Sequence, residues 1–377
     1  MHHAPLFQPY VFNNGVAVKN RLAVAPMTHF GSDTHGHFSE AERRFLTGRA
    51  MGFGLFITAA TLVQRDGQAF HGQPFALGDG DTPSLKATAA LIQSQGAKAV
   101  LQIHHGGLKA MPELLGGLPP KAPSADAASG AQAFSATEID DLIAAFGRAT
   151  RLAIEAGFDG VEIHGANGYV LQQFLSAQTN RRADAWGGDA ARRLALPLAV
   201  VAAAVAAREQ ARRPDFILGY RFSPEEPGED GLTMSDAFAL VEALCAQPLQ
   251  YLHVSLWDFW KKARRGADPT QTRMALLHEK IAGRLPLMGV GNLTTAARLD
   301  AAAASGWAEF IAVGKAVMLN PNLVQLLTEG RDNEIIHELD PQRADGYGFP
   351  PHLWQMAQKG AAWLPPVQGQ PWQPLDI

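Results

Sequence analysis

The sequence is poor in cysteine, and this shortage excludes several kinds of site. Cys245 is the single cysteine among 377 residues. One thiol cannot form an internal disulfide, and no cysteine cluster is available for zinc or an iron–sulfur centre. We therefore expect a reducing compartment, with the cytoplasm as the default.

Net charge and long apolar runs are also scarce. There are 32 Lys and Arg against 36 Asp and Glu, a formal net charge of −4, so we expect no nucleic acid and no anionic membrane surface as partner. Residues 1–20 contain no long apolar run, which argues against a secretory signal or a membrane anchor. The alanine-rich run 195–207 is apolar for only about a dozen residues, too few to span a bilayer, and predicts a buried helix. His2 and His3 are left out of these arguments.

Short apolar runs that end in polar or glycine residues recur through the chain and predict eight strands. They are LAVAPM (22–27), FGLFITA (53–59), AVLQIHH (99–105), GVEIHG (160–165), FILGYRFS (216–223), YLHVSL (251–256), LPLMGVG (285–291) and EFIAVGKA (309–316). Most are separated by a helical pattern; in 138–157, apolar residues recur at the spacing of one helix face. Alternating strands and helices predict a parallel sheet, and eight strands predict a closed (β/α)8 TIM barrel.

The chain is longer than the ~250 residues of a typical barrel. An Asn-Gly turn at 14–15 predicts a hairpin that closes the barrel bottom, so we assign 1–21 to an N-terminal cap. The barrel then covers 22–330 and a proline- and tryptophan-rich C-terminal extension covers 331–377, all in a single domain. Residues 106–135 are predicted to form a long loop.

Polar or small side chains stand at the ends of several predicted strands, where a buried strand would carry an apolar residue. They are Thr28, Ala60, Gln102, His105, His164, Asn167, Tyr169 and Arg221. Active sites of such barrels are built at the C-terminal ends of the strands, so we expect these side chains to meet.

The last two strands end in glycines that suggest a phosphate cradle. Gly291 with Asn292, and Gly314 with Lys315, would offer backbone N–H groups, a helix start and one full charge to an anion. Turns need glycine for other reasons, so the position on strands seven and eight carries this prediction. A metal site is disfavoured, because the histidines near strand ends lack further ligands at suitable spacing.

The run HGANGYVLQQFLSAQTNRRADAWGG (164–188) resembles the old yellow enzyme family of FMN-dependent ene-reductases. APMT, LQIHHGG and VGKAVMLNP add three matches in the same order, and the similarity covers essentially the whole chain. The resemblance implies an enzyme that takes hydride from NADH or NADPH onto FMN and passes it to the activated C=C bond of an α,β-unsaturated carbonyl compound.

The same resemblance implies the roles of the site residues. His164 and Asn167 would donate hydrogen bonds to the substrate carbonyl oxygen, where negative charge develops. Tyr169 would donate the proton to the α-carbon, as a phenol that is neutral at working pH. The residues expected at the flavin are Pro26, Met27, Thr28, Ala60, Gln102, His164, Arg221, Gly291, Asn292, Gly314 and Lys315. Thr28 would touch the flavin O4 and tune its potential, and an ordinary salt bridge is the alternative for Arg221.

Three positions depart from the family pattern. Ala59 stands where we expect a glutamate, and the usual arginine after the Gln102 strand is missing, with Lys109 as its only candidate replacement. Lys315 replaces the usual arginine, which keeps the charge but loses the bidentate fork. We still expect FMN to bind.

Two other functions stay open at this stage. The chain could act as a flavin-dependent dehydrogenase or NADH oxidase with another acceptor, such as a cyclic ketone or oxygen, or as a flavin-binding barrel without activity. The aromatic residues of 257–272, including Trp257, Phe259 and Trp260, could stack on a substrate, but we favour a role in covering the core. A homo-oligomer is compatible with the sequence but not indicated by it.

Overall fold

The computed structural model describes residues 3–373 and residue 375. Residues 1 and 2 of the predicted cap, and 374, 376 and 377 of the predicted extension, lie outside the described residues. The strands are β1 (Tyr10–Val11), β2 (Ala17–Val18), β3 (Leu22–Val24), β4 (Leu55–Ile57), β5 (Thr61–Leu62), β6 (Lys98–His104), β7 (Lys121–Ala122), β8 (Gln132–Ala133), β9 (Gly160–Gly165), β10 (Ile217–Phe222), β11 (Tyr251–Val254), β12 (Leu287–Gly289) and β13 (Phe310–Val313).

The helices form most of the layer outside the sheet. They are α1 (Glu40–Leu46), α2 (Thr82–Ser94), α3 (Ala136–Glu155), α4 (Val170–Leu175), α5 (Ala190–Arg193), α6 (Ala195–Gln210), α7 (Met234–Cys245), α8 (Arg273–Ile281), α9 (Ala296–Ala304), α10 (Lys315–Leu319), α11 (Leu323–Glu329) and α12 (Pro351–Gln358). The alternation of strands and helices that the apolar runs predict is confirmed.

Eight parallel strands close into a barrel. The hydrogen-bonded order is β3, β4, β6, β9, β10, β11, β12, β13 and back to β3. The short strand β5 pairs with the end of β6 beyond the reach of β4. In this ring His164, Arg221 and His253 are lateral neighbours on β9, β10 and β11, so their side chains point to the same side of the sheet. The predicted (β/α)8 barrel is confirmed.

The sequence of α3 explains why this helix begins where it does. The Ser135 hydroxyl accepts the N–H of Glu138 at 3.2 Å, and the Glu138 carboxylate accepts the N–H of Ser135 at 2.8 Å, a reciprocal capping box. Ile139, Leu142 and Phe146 are buried toward the barrel. The helical pattern expected over 138–157 is therefore correct, with both ends about two residues nearer the N-terminus.

The alanine-rich helix is longer than the sequence suggested. α5 and α6 together run over Ala190–Gln210, 21 residues with a mean hydropathy of 1.6, which is long and apolar enough to cross a membrane by those two criteria. The apolar run 195–207 itself lies within α6, where a helix was predicted, and only the addition of α5 gives this length. One third of the apolar window is buried, with Val200, Val201 and Ala204 facing the barrel layer. The core helix of a soluble protein passes the same test.

The N-terminal hairpin lies across the end of the barrel where the strands begin. Tyr10 pairs with Val18, and Gly15 takes φ +83° at the turn. The Phe12 ring stacks on Phe310, the first residue of β13, with ring centroids 5.4 Å apart. The predicted cap therefore closes the barrel bottom, while its predicted limit at residue 21 remains a prediction.

Two segments contain more structure than the sequence indicated. The predicted loop 106–135 contains 3-10 turns at Gly107–Lys109 and Pro112–Leu114 and the parallel pair β7 and β8. The C-cap of helix α11 is Gly330, which takes φ +69°. The extension then forms α12, and the irregular segment after it reaches back to the C-terminal ends of the barrel strands.

Candidate active site

A cavity of about 460 Å³ opens at the C-terminal ends of the barrel strands. Ten of the residues expected in the site line it: Pro26, Met27, Thr28, Asn167, Tyr169, Arg221, Gly291, Asn292, Gly314 and Lys315. The other four, Ala60, Gln102, His105 and His164, are buried behind this wall and do not line the cavity, and His105 contacts Asp66 instead. The barrel thus brings together strand ends that are far apart in the sequence.

His164 is the fifth residue of β9, and its ring is almost fully buried. Its Nδ1 accepts the backbone N–H of Ala166 at 3.2 Å, which places the ring proton on Nε2. Burial, and then the positive charges around it, hold the pKa of His164 well below 6.5. The imidazole is therefore neutral and can act as an N–H donor.

Asn167 is held at three of its polar atoms. It takes φ +58°, a left-handed conformation that asparagine tolerates better than most residues. Its N–H donates to Ser223 Oγ at 2.9 Å, its carbonyl accepts from Lys109 Nζ at 2.7 Å, and its Oδ1 accepts from Ser255 Oγ at 2.7 Å. Within the described part of the chain only the Nδ2 amide group lacks a partner, so Asn167 can donate to a ligand.

Tyr169 immediately precedes α4, and its ring is packed between two histidines. The centroid of its ring is 4.3 Å from that of His104 and 5.1 Å from that of His164, both edge to face. Burial raises the pKa of Tyr169 above 10. The phenol is therefore protonated at neutral pH, as a proton donor must be.

A polar layer inside the barrel supports this wall. The buried Glu162 carboxylate accepts from Gln102 Nε2 at 2.7 Å, from Tyr251 OH at 3.0 Å and from His253 Nδ1 at 2.9 Å. Burial acts to raise the pKa of Glu162, but His253 and the Arg221 charge outweigh it, and the pKa is below 4.5. The contact to Glu162 fixes the orientation of the Gln102 amide, with Nε2 turned toward the carboxylate.

Arg221 lies on β10 beside His164 and is 8% exposed. Its Nη2 donates to Ser255 Oγ at 3.1 Å, and its Nε is buried without a partner. No carboxylate of the described residues lies within ion-pair distance of the guanidinium. The salt-bridge alternative is therefore wrong, and the charge faces the cavity.

The glycines after β12 and β13 line the cavity at the position of the predicted cradle. Gly291 takes φ +137°, and a Cβ there would stand 2.5 Å from the backbone nitrogen of Phe259, so only glycine fits. At Gly314 a Cβ would approach Met27 only to 3.8 Å, so the backbone there is open. Lys315 Nζ is buried without a hydrogen-bond partner in the described chain, and lies 4.1 Å from the centroid of the Trp372 ring. Burial lowers its pKa to about 8.

The position without the expected glutamate has a different carboxyl nearby. Ala59 lines a cavity of about 10 Å³ together with His29 and Glu42. Glu42 is 2% exposed and accepts from Ser32 Oγ at 2.8 Å, and burial raises its pKa to about 7. Burial lowers the pKa of His29 to about 4, so near pH 7 His29 is neutral while Glu42 is about half protonated.

Residues 5–334 match the sequence model of the NADH:flavin oxidoreductase / NADH oxidase family. The chain belongs to this family. It is 45% identical over 366 residues to the probable NADH-dependent flavin oxidoreductase YqiG of Bacillus subtilis, which covers 96% of this chain and 98% of that protein. It is 36% identical over 360 residues to the NADH:fumarate oxidoreductase of Klebsiella pneumoniae, covering 93% of this chain but only 39% of that protein.

Comparison of the fold with solved structures agrees with this family. The solved structure of the old yellow enzyme homologue from Zymomonas mobilis superposes with a TM-score of 0.76 at 25% identity, covering 92% of this chain and 99% of that one. The resemblance to the old yellow enzyme family seen in the sequence is thus confirmed. As a member of the NADH:flavin oxidoreductase family the protein is an FMN-dependent oxidoreductase that uses NADH or NADPH.

The residues present suit the cofactor of the NADH:flavin oxidoreductase family. A buried ammonium without a counter-ion, next to a glycine that a side chain would block, is what a phosphate monoester needs. Arg221 Nε, which has no hydrogen-bond partner among the described residues, supplies one donor for a heterocycle. Among the described residues no group of three or more His, Cys, Asp or Glu is placed to hold a metal ion.

Several residues of the site were not among the predicted site residues. Ser255 and His104 contact the expected residues directly, and Lys109 binds the Asn167 carbonyl. Trp257 lines the cavity, so covering the core is not its only role, whereas Phe259 is fully buried as expected. The outer wall is completed by Phe30, Phe70, Met356 and Trp363. A pattern of polar strand ends could have indicated Ser255; the outer wall comes from tertiary contacts alone.

Proposed function

We propose that the protein reduces the activated C=C bond of α,β-unsaturated carbonyl compounds with electrons from NADH or NADPH. The observation that carries this proposal is that an N–H donor, Asn167, and a neutral phenol, Tyr169, line one cavity, with the N–H donor His164 packed against Tyr169 behind its wall. FMN, when bound, supplies the hydride. Reduction also needs charge stabilisation at the carbonyl oxygen and a proton at the α-carbon, and these residues can provide both.

His164 and Asn167 would bind the carbonyl oxygen and stabilise the negative charge that develops there. Both donors are fixed before the substrate arrives, because His164 Nδ1 and Asn167 Oδ1 are already engaged. Pre-oriented donors need no reorganisation during the reaction. Tyr169 would then give its proton to the α-carbon, and solvent would return a proton to the phenolate.

FMN would be held at both of its ends. Lys315 and the backbone at Gly291, Asn292 and Gly314 would bind the phosphate, while Arg221, Gln102 and Thr28 would contact the ring system. Pro26, Met27 and Ala60 would pack beside it, with Ala60 placed in a second layer by its position behind the wall. Arg221, which has no carboxylate of the described residues within ion-pair distance, would stabilise negative charge on the ring.

The outer wall favours substrates with an apolar body. Phe30 contacts Phe70 and Trp363, with ring centroids 5.8 Å and 6.3 Å apart. Such a wall suits a cyclic or aryl-substituted enone better than a small charged acid. We also propose a cytoplasmic location, because Cys245 has no cysteine with which to form a disulfide.

Tyr169→Phe tests the assignment by separating the two half-reactions. The variant keeps the ring and loses the proton donor, so reduction of the flavin by NADPH should stay within a few-fold of wild type in stopped flow. Reoxidation by cyclohexenone should slow by ~10²–10⁴, the usual effect of a lost general acid.

Two outcomes would contradict the proposal. Equal slowing of both half-reactions would assign Tyr169 a structural role, and unchanged reoxidation with every enone would remove it from the mechanism. If wild type consumes NADPH only with oxygen, the alternative of an NADH oxidase is supported instead. If flavin-loaded protein consumes neither NADH nor NADPH, the barrel is inactive and the proposal is wrong.

A further inference from the structure

We propose that Ser255 is the positioning residue that turns the side-chain amide of Asn167 so that its NH₂ group faces the substrate. This inference rests on the proposed function, because it assigns the cause of one donor in that site. An asparagine amide can be rotated by half a turn with almost no change of shape, and the rotated form would present an oxygen to the substrate carbonyl. Something in the protein must therefore select the orientation.

The selection follows from the hydrogen-bonding capacities of three side chains in a row. The Arg221 guanidinium is a donor only, and its Nη2 lies 3.1 Å from Ser255 Oγ. Ser255 must accept this bond, so its single proton remains for its other neighbour. That neighbour, 2.7 Å away, is the Asn167 amide, which must therefore present Oδ1.

The opposite orientation would conflict with the same chain of contacts. Ser255 Oγ would then receive N–H groups from both Arg221 and Asn167, and its own proton would have no acceptor among them. Ser255 is partly buried, so leaving its proton without a partner costs only part of the penalty of a buried group, enough to change a population by about tenfold. Arg221 thus fixes the amide of Asn167 through one hydroxyl group.

The rest of Asn167 is fixed by other residues, so Ser255 controls the amide alone. Ser223 Oγ accepts the backbone N–H of Asn167 and Lys109 Nζ binds its carbonyl. Ser255 is itself rigidly placed, because it follows β11 directly and its N–H donates to the Phe222 carbonyl at 2.8 Å. The only freedom left to Asn167 is rotation of the amide.

The test is a double-mutant cycle in the flavin-loaded enzyme. Ser255→Ala should lower kcat for cyclohexenone reduction by about tenfold with little change in KM, because the donor acts mainly in the transition state. This is less than the ~10²–10³ expected for loss of the donor itself in Asn167→Ala. Ser255→Thr, which keeps the hydroxyl, should restore most of the rate. The affinity of the oxidised enzyme for p-hydroxybenzaldehyde should fall and recover in the same way.

The decisive comparison is Ser255→Ala in the Asn167→Ala background, where the serine has no amide left to orient and should have no further effect. A further tenfold loss there would show that Ser255 acts through Arg221 or the fold, and would overturn the inference. Normal kcat in Ser255→Ala, with a slow Asn167→Ala enzyme, would overturn the inference but leave the proposed function intact. Normal reduction by Asn167→Ala would contradict the donor role on which both rest.

Discussion

Raising the pH through 8 should weaken the binding of FMN to the flavin-free protein, because Lys315 loses its charge. The ammonium is buried without a hydrogen-bond partner in the described chain, and burial lowers its pKa to about 8. Below this pH the lysine is charged and can bind a phosphate. The free protein loses that charge as the pH rises, so the dissociation constant should increase about tenfold between pH 7 and pH 9, a loss of about 1.4 kcal/mol.

The assay is a fluorescence titration of flavin-free protein with FMN at pH values from 6.5 to 9. The FMN phosphate is a dianion over most of this range, since its second pKa is about 6, so the change reports on the protein. Lys315→Arg is the matched control, because its guanidinium stays charged throughout and its affinity for FMN should not depend on pH. Riboflavin, which lacks the phosphate, should bind with no such dependence. Equal weakening of riboflavin binding, or a constant affinity for FMN in wild type, would refute the assignment of Lys315.

Three further predictions concern stability. Because the pKa of Glu42 is raised, the free energy of unfolding falls by up to about 3 kcal/mol as the pH rises from about 4.5 through 7. Glu42→Gln removes this loss, so the increase in thermal midpoint that it gives should grow from pH 5 to pH 8. Burial acts to lower the pKa of His3, but hydrogen bonds to two aspartates outweigh this and raise it. The stability that the charged His3 gives to the fold is complete below about pH 6.5 and is lost as the pH rises through the raised pKa. His3→Gln should therefore lower the thermal midpoint more at pH 6 than at pH 9. Gly219→Ala would place a Cβ 2.1 Å from the Tyr251 ring and should cost about 1–3 kcal/mol in urea unfolding, whereas Gly147→Ala, with its nearest neighbour at 3.5 Å, should cost nothing.

The fold was predictable because its signals are local. Each barrel strand is a short apolar run buried on both faces, and the start of α3 is fixed by Ser135 and Glu138, which are three residues apart. The strand β5, by contrast, is two residues long and exists because β6 continues past β4. Its formation depends on a neighbour distant in the sequence, so no local pattern indicates it.

The candidate site divides in the same way. Residues at strand ends could be predicted, because the barrel places all such ends on one rim. The positions of Gln102 and His164 behind the wall could not, since they depend on Glu162, Ala166 and the packing of neighbouring strands. The stabilising contacts of His3 could not be predicted for a similar reason, because the two aspartates that its ring contacts lie about 300 residues further along the chain.

The order in which the site residues occur along the chain has a consequence for biosynthesis. The barrel closes when β13, which ends at Val313, pairs with β3. The outer wall is complete only after Met356 and Trp363 have also been synthesised. A growing chain on the ribosome therefore exposes two open sheet edges and lacks the proposed phosphate site until β13 has been made, and open edges promote aggregation. At that proposed site FMN would bind only after β13 has joined β3. Since a ligand stabilises only the state that binds it, the supply of flavin will favour full-length chains over truncated ones.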